Sequence, residues 1–401
     1  MGLICALFAE LAELANHQFL QFAHSNPLLP LVITPLALTA IAWLTVKFFP
    51  GSQGSGIPQA IAALEMRSKS KILSIRIALG KVLLTLLGLS AGASIGREGP
   101  SVHIGASIMF SLGRYARFPP HYMERGLILA GGAAGVAAAF NTPLAGIMFA
   151  IEEMSRSFES RTNGIVITAV VIAGVTAMAI LGNYHYFGSV TNISAAGIES
   201  WLAVLVCGIA GGLLGGTFAN LLIKGSQKIA PLARRTPLRI AFFAGLALAI
   251  IAFISDYSAS GTGYIEAKAI IAHSGEFDPW YPINKMSATL ASYLSGIPGG
   301  IFAPSLAAGA GVGANLGHWL PVAPLSLMIL LGMVGYFSGV VQSPLTAFVI
   351  VVEMTAERDL ILPLLATSFL AYGSSHLVCP RPIYHTLAQA FINANDEKRT
   401  I

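Results

Sequence analysis

The chain has 401 residues, of which 55% are hydrophobic and only 10% charged, and its mean hydropathy is +0.73. Soluble domains carry about 25% charged residues, so the composition excludes a water-soluble globular protein and predicts an all-α polytopic membrane protein. The net charge of +5 is spread along the chain and gives no case for nucleic acid, while Cys5, Cys207 and Cys379 have neither metal-ligand spacing nor the pattern of a disulfide framework. No metal or organic cofactor is expected.

In chain order, residues 1–15 contain Glu10 and Glu13 and no basic n-region, unlike a cleaved signal peptide. Residues 3–22 read as a mixed helix, and 28–49 is long enough to span, since about 20 residues cross a bilayer. A break rich in glycine and proline, Gly54-Ser55-Gly56-Ile57-Pro58, precedes Arg67, Lys69, Lys71 and Arg76. The positive-inside rule turns that basic loop toward the cytoplasm, and a plain solvated loop is the simpler account of its charges. Lys81 lies inside the next apolar stretch, either snorkelling to the interface or setting a positive potential along an anion path.

Residues 79–95 lead to Gly96-Arg97-Glu98-Gly99-Pro100. Proline suits a first helical turn, so a helix is expected from about Pro100, its positive end toward Glu98. An acid within a membrane is a functional candidate; a local pair with Arg97 is the plainer reading. A polar loop at 114–125 precedes 126–140, Asn141-Thr142-Pro143 breaks the chain, and 144–154 ends near Glu152 and Glu153. Further apolar segments fall near 163–182, 201–223, 238–254, 286–296, 304–320, 325–341, 345–354 and 360–378. Many are shorter than a span, as in discontinuous helices around a buried site.

The chain repeats itself. Gly54, Gly56 and Ala60 align with Gly261, Gly263 and Ala267, each 207 apart; Gly96, Pro100, Ser101, Gly105 and Ala106 align with Gly300, Pro304, Ser305, Gly309 and Ala310, each 204 apart. Pro143, Leu144 and Glu152 align with Pro344, Leu345 and Glu353, each 201 apart. Three stretches in one order indicate a duplicated architecture, expected as a first half at 1–195, a second at 196–378 and a C-terminal segment at 379–401. Whether the repeats are inverted or parallel is not set by these alignments. Glu98 has Phe302 as its counterpart and Glu153 has Met354, so each of these acids belongs to one half only. The paired Glu152 and Glu353 read as structural or water-lining.

Three glycine–proline breaks, at 54–58, 96–100 and 300–304, each open a helix. Helix starts offer unsatisfied N–H groups and partial positive charge, so several together hold an anion weakly enough to release it. Ser55 adds a hydroxyl, and Glu98, when ionised, competes for the same place.

These residues resemble a known family. Gly54-Ser55-Gly56-Ile57-Pro58, Gly96-Arg97-Glu98-Gly99-Pro100 and Gly300-Ile301-Phe302-Ala303-Pro304 are similar to the three filter motifs of the CLC chloride channels and transporters, and Asn141-Thr142-Pro143-Leu144 through Ile151-Glu152-Glu153-Met154 also looks like that family. The resemblance runs from about residue 30 to 390. It implies an inverted-repeat fold with many broken, tilted helices, and a homodimer with one pore per subunit. It also implies chloride contacts from Ser55, Ile301, Phe302 and Tyr384, an external gate and proton acceptor at Glu98, internal proton transfer at Glu153, and Lys81 facing the pathway. The short N-terminus implies that a first peripheral helix is missing or truncated. The early end after Tyr384 implies a prokaryotic-type, inner-membrane protein without cytoplasmic nucleotide-binding domains.

Alternatives accompany each residue. Ser55 as a helix cap is the alternative to an ion contact; Tyr384 as an interfacial anchor is the alternative to a pore hydroxyl; and His103 reads as a packed helical histidine. For function, a chloride/proton exchanger stands against a passive chloride channel, with Glu153 as the discriminating residue. A membrane enzyme would need a nucleophile–base or zinc motif, and none is present. A purely structural protein leaves the unpaired acids unexplained. The anion, chloride rather than bromide, nitrate or fluoride, rests on the resemblance.

Overall fold

The computed structural model describes residues 1–66, 69, 72–113, 120–155, 160–182, 187, 197–272, 278–355 and 359–397, and among these it contains seventeen α-helices and no strand. The first half holds α1 (Gly2–Ser25), α2 (Pro30–Phe48), α3 (Ile57–Glu65), α4 (Ile75–Ser90), α5 (Glu98–Gly113), α6 (Pro120–Phe140), α7 (Pro143–Phe149) and α8 (Ser160–Leu181). A π-helical stretch, Ala150–Ser155, continues α7. The second half holds α9 (Ile198–Arg235), α10 (Pro237–Ile254), α11 (Tyr264–Ile271), α12 (Tyr281–Leu294), α13 (Phe302–Trp319), α14 (Leu325–Val341), α15 (Pro344–Thr355) and α16 (Ile361–His376), followed by α17 (Ile383–Glu397). The expected boundary between the halves at 195/196, the charges Arg67 and Lys71, and residues 114–119 of the polar loop lie outside the described residues.

Proline stands in the first turn of α2, α3, α7, α10 and α12, where its missing N–H is no loss. Four helices, α1, α2, α9 and α10, are long and apolar enough to cross a membrane. Others are far too short. The nine residues of α3 rise about 14 Å against a hydrocarbon core of about 30 Å. Such a piece persists within a bilayer only where protein surrounds it, and α3 is buried from Ile57 to Ala63. Small residues let the helices close around these pieces: a side chain on Gly105 of α5 would strike the backbone of Gly131 on α6, and one on Gly313 of α13 the backbone of Met328 on α14.

Local geometry repeats as the sequence does. Asn141 and Gln342, 201 apart, both sit at φ 58°, and the residue two positions after each, Pro143 and Pro344, opens a helix. Gly56 and Gly263, 207 apart, both lie in the left-handed region as the residues preceding α3 and α11. The two halves are also exchanged at α7 and α15. The Glu353 carboxylate accepts from the Leu144 and Ala145 amides (3.1 and 2.7 Å), and the Glu152 carboxylate accepts from those of Leu345 and Thr346 (3.1 and 2.6 Å). Each acid thus caps the helix start of the other half, favourably placed against its dipole. That geometry fits the structural reading of this pair.

Candidate functional site

Backbone bonds tie the three breaks together. Gly96 and Gly300 exchange N–H···O bonds of 2.7 Å each, and Gly54 bonds to Ile297 and Gly299 at 3.1 and 3.2 Å. The starts of α3, α5 and α13 are thereby held at one buried point. Gly99 makes the closeness possible: a side chain there would land on the Ser55 hydroxyl and, at 2.8 Å, on the Ser55 carbonyl oxygen.

Helix α5 begins at Glu98, two residues earlier than expected from Pro100. The Glu98 side chain is wholly buried. Its carboxylate folds back over Gly96 toward α13, close enough that a side chain on Gly96 would strike Glu98 Oε2 and lie 3.4 Å from the Ala303 nitrogen. The backbone amides of Arg97, Glu98 and Ala303 lie beside its oxygens, without a hydrogen bond of regular geometry to either. The plainer reading, a Glu98–Arg97 pair, does not hold. The Arg97 guanidinium instead turns to α1, donating to the Ala9 carbonyl at 2.6 Å and to Glu13 at 3.3 Å.

Ser55 and Tyr384 meet this point from opposite elements. Ser55 comes from the break before α3, and Tyr384 from the second residue of α17. Both are fully buried and their hydroxyls approach one another, and neither makes a hydrogen bond of regular geometry. The Tyr384 hydroxyl also lies within electrostatic range of both Glu98 and Glu153. Its ring packs on Phe302 (centroids 5.6 Å apart), which in turn meets Phe140, Phe149 and Phe337 at 6.3, 6.0 and 4.9 Å. The counterpart of Glu98 is therefore an aromatic hub that fixes the start of α13. Ile301 directly precedes α13, so its amide and that of Phe302 belong to the first turn, where helix geometry leaves N–H groups without carbonyl partners.

Glu153 is buried in the π-helical stretch. It accepts a hydrogen bond from the Ser343 hydroxyl, and its carbonyl oxygen bonds to the His385 ring at 2.8 Å. Ser343 and His385 were missed in the sequence. His385 sits beside Tyr384, and Ser343 precedes the Pro344 that marks the repeat.

Lys81 does not snorkel to a surface. It is buried behind the first break and donates to the Gly54 carbonyl at 2.9 Å. Lys285, also missed, does the same in the second half, donating to Ala259, Ser260 and Gly261 at 3.1, 2.8 and 3.0 Å. It lies 204 residues after Lys81 and so was within reach of the repeat. His103 is packed, its ring bonded to the Ile72 carbonyl at 2.8 Å.

Chemically, this is a buried point where helix starts converge on two hydroxyls and a carboxylate. One carboxylate already lies among the amides that would receive an anion.

Comparison with known proteins agrees with this picture. Residues 36–376 match the family described as voltage gated chloride channel. The H(+)/Cl(-) exchange transporter ClcA of Yersinia pestis bv. Antiqua (strain Angola) is 30% identical over 388 residues, covering 92% of this chain and 80% of that protein. The crystal structure of a slow cyanobacterial Cl-/H+ antiporter superimposes with a TM-score of 0.86 at 26% identity, covering 98% of this chain and 95% of the other. A CLC-type fluoride/proton antiporter shares the fold, with a TM-score of 0.83 at 24% identity over 96% of this chain and 94% of its own.

Proposed function

This chain belongs to the voltage-gated chloride channel (CLC) family and is an integral membrane protein, and from that premise we propose that it is a secondary active transporter exchanging chloride for protons. The observation that carries the reading is the set of buried polar groups without partners at one point: both Glu98 oxygens, the Ser55 hydroxyl and the Tyr384 hydroxyl. Buried polar groups are nearly always satisfied, so the two hydroxyls fit an anion as the partner they donate to, and the carboxylate, itself an anion, lies where it competes for the same donors.

Glu98 lies where that anion would sit. Ionised, it competes with chloride for the amides at the starts of α5 and α13. Protonated, it loses its attraction to those amides, swings aside and admits chloride between Ser55, Tyr384 and the Ile301 and Phe302 amides. The proton then passes through water toward Glu153, past the Tyr384 hydroxyl that lies in range of both acids, and leaves on the inner side. Lys81 and Lys285 hold the breaks from behind and lend positive potential without touching the ion.

A passive channel would share the anion pocket. It has no use for a second buried acid, held by Ser343 on the far side of Tyr384, and this favours exchange. We also take 1–195 and 196–378 as the repeat halves and 379–401 as the segment that delivers Tyr384. We place the protein as a homodimer, one pore per subunit, in a bacterial inner membrane.

Reconstitution tests the reading. With purified protein in liposomes under a chloride gradient, both ions are recorded together. Exchange drives protons uphill; chloride flux with no proton movement would establish the channel instead.

A further inference from the structure

A groove of about 710 Å³ lies between α9, α10 and α12, on the outside of the bundle and away from the anion pocket. Its wall is apolar apart from Thr236, Arg239 and Ser287. Along α10 the lining runs from Arg239 in the first turn through Phe243 and Ala247 to Ile251, twelve positions further on and about 18 Å along the axis. Half of a hydrocarbon core is about 15 Å. The groove therefore has the depth of one leaflet, with its cation at the start of α10 and apolar α10 side chains from Phe243 to Ile251 along it.

Charge identifies the occupant. Lys224, Lys228, Arg234, Arg235 and Arg239 crowd the end of α9 and the start of α10, all exposed, and no acid occurs between Glu199 and Asp256. Arg239 forms no ion pair among the described residues. Helix α9 rises about 57 Å over its 38 residues, well beyond the hydrocarbon, so its basic end stands at headgroup level. That end is on the Glu153 side: Ser226, Gln227 and Ala230 share a cavity with His385, whose ring bonds to Glu153. The positive-inside rule puts this side in the cytoplasm, where anionic lipids gather and basic pockets between helices hold their headgroups. A second copy of the chain fits poorly, because it would bring two such basic ends together.

We propose that this groove binds one anionic glycerophospholipid of the cytoplasmic leaflet, with its phosphodiester on Arg239 and an acyl chain along Phe243, Ala247 and Ile251. Native mass spectrometry of the full chain in neutral detergent, titrated with phosphatidylglycerol or with phosphatidylcholine of the same chains, tests it. One phosphatidylglycerol should be held about fivefold more tightly than phosphatidylcholine, the value of one cation near a headgroup. Arg239→Gln should erase that preference and Arg239→Lys retain it. Lys224→Gln, outside the groove, should keep most of it. Ala247→Trp should weaken both lipids by filling the groove. Equal affinity of the unaltered protein for the two lipids would overturn the proposal, as would a preference that survives Arg239→Gln. If Ala247→Trp instead turns dimers into monomers, the face is a protein interface and the lipid site is excluded.

Discussion

Glu152 and Glu353 on one side, and Glu98 on the other, are acids of one duplicated scaffold with opposite surroundings. Each of the first two accepts two well-formed bonds from backbone amides of the opposite half, whereas Glu98 lies near three amides with no bond of regular geometry to any of them. The paired acids are present twice, saturated, and sit at helix starts where their charge is needed permanently. The unpaired acid occurs once, with Phe302 as its counterpart, and on the proposed reading it is the one that moves. On the proposed reading, saturation separates the acids that hold the fold from the one that moves within it.

The largest expected effect follows from neutralising the loose acid. Glu98→Gln should abolish uphill proton movement while chloride flux continues, as measured by paired electrodes on liposomes. Retained proton pumping would remove Glu98 from the gate. Glu153→Gln should also stop proton movement and leave chloride flux; if coupling survived, the proton route would have to pass another inner acid, Glu152 first.

Smaller effects sharpen the contrast. Ser55→Ala removes one neutral hydroxyl donor and should weaken chloride binding about tenfold, with little change in thermal stability. The reverse pattern is expected for Glu353→Ala, which strips two amides of their carboxylate cap. It should cost about 1–2 kcal/mol of stability, read as a lower unfolding midpoint in detergent, with chloride affinity unchanged. A Glu353→Ala protein that stayed as stable as the parent would end the claim that the paired acids are structural.

Much of this was legible in the chain. The three breaks each mark a helix start, because glycine and proline act through local backbone geometry. The segments near 325–341 and 238–254 coincide with α14 and α10 almost to the residue, because long apolar runs are unambiguous. Helices α3 and α11, nine and eight residues long, are too short for periodicity to register, and the C-terminal segment 379–401 gave no sign of the helix α17 that delivers Tyr384. The turn of Arg97 to Ala9, 88 residues away, and the Ser343–Glu153 bond, 190 residues apart, are products of tertiary packing with no local signal. Lys285 is the exception: the 204-residue offset that pairs Gly96 with Gly300 also leads from Lys81 to it.

The competition between Glu98 and chloride is tested most directly by calorimetric titration of chloride into the purified protein and its Glu98→Ala variant across pH. If the carboxylate occupies the anion's place, the unaltered protein binds chloride more tightly as pH falls, since protonation removes the competitor. Glu98→Ala should bind at least about tenfold more tightly near neutral pH, the worth of roughly one displaced charge-assisted hydrogen bond, and lose that pH dependence. Equal affinities for the two proteins, with the same pH profile, would contradict a shared site.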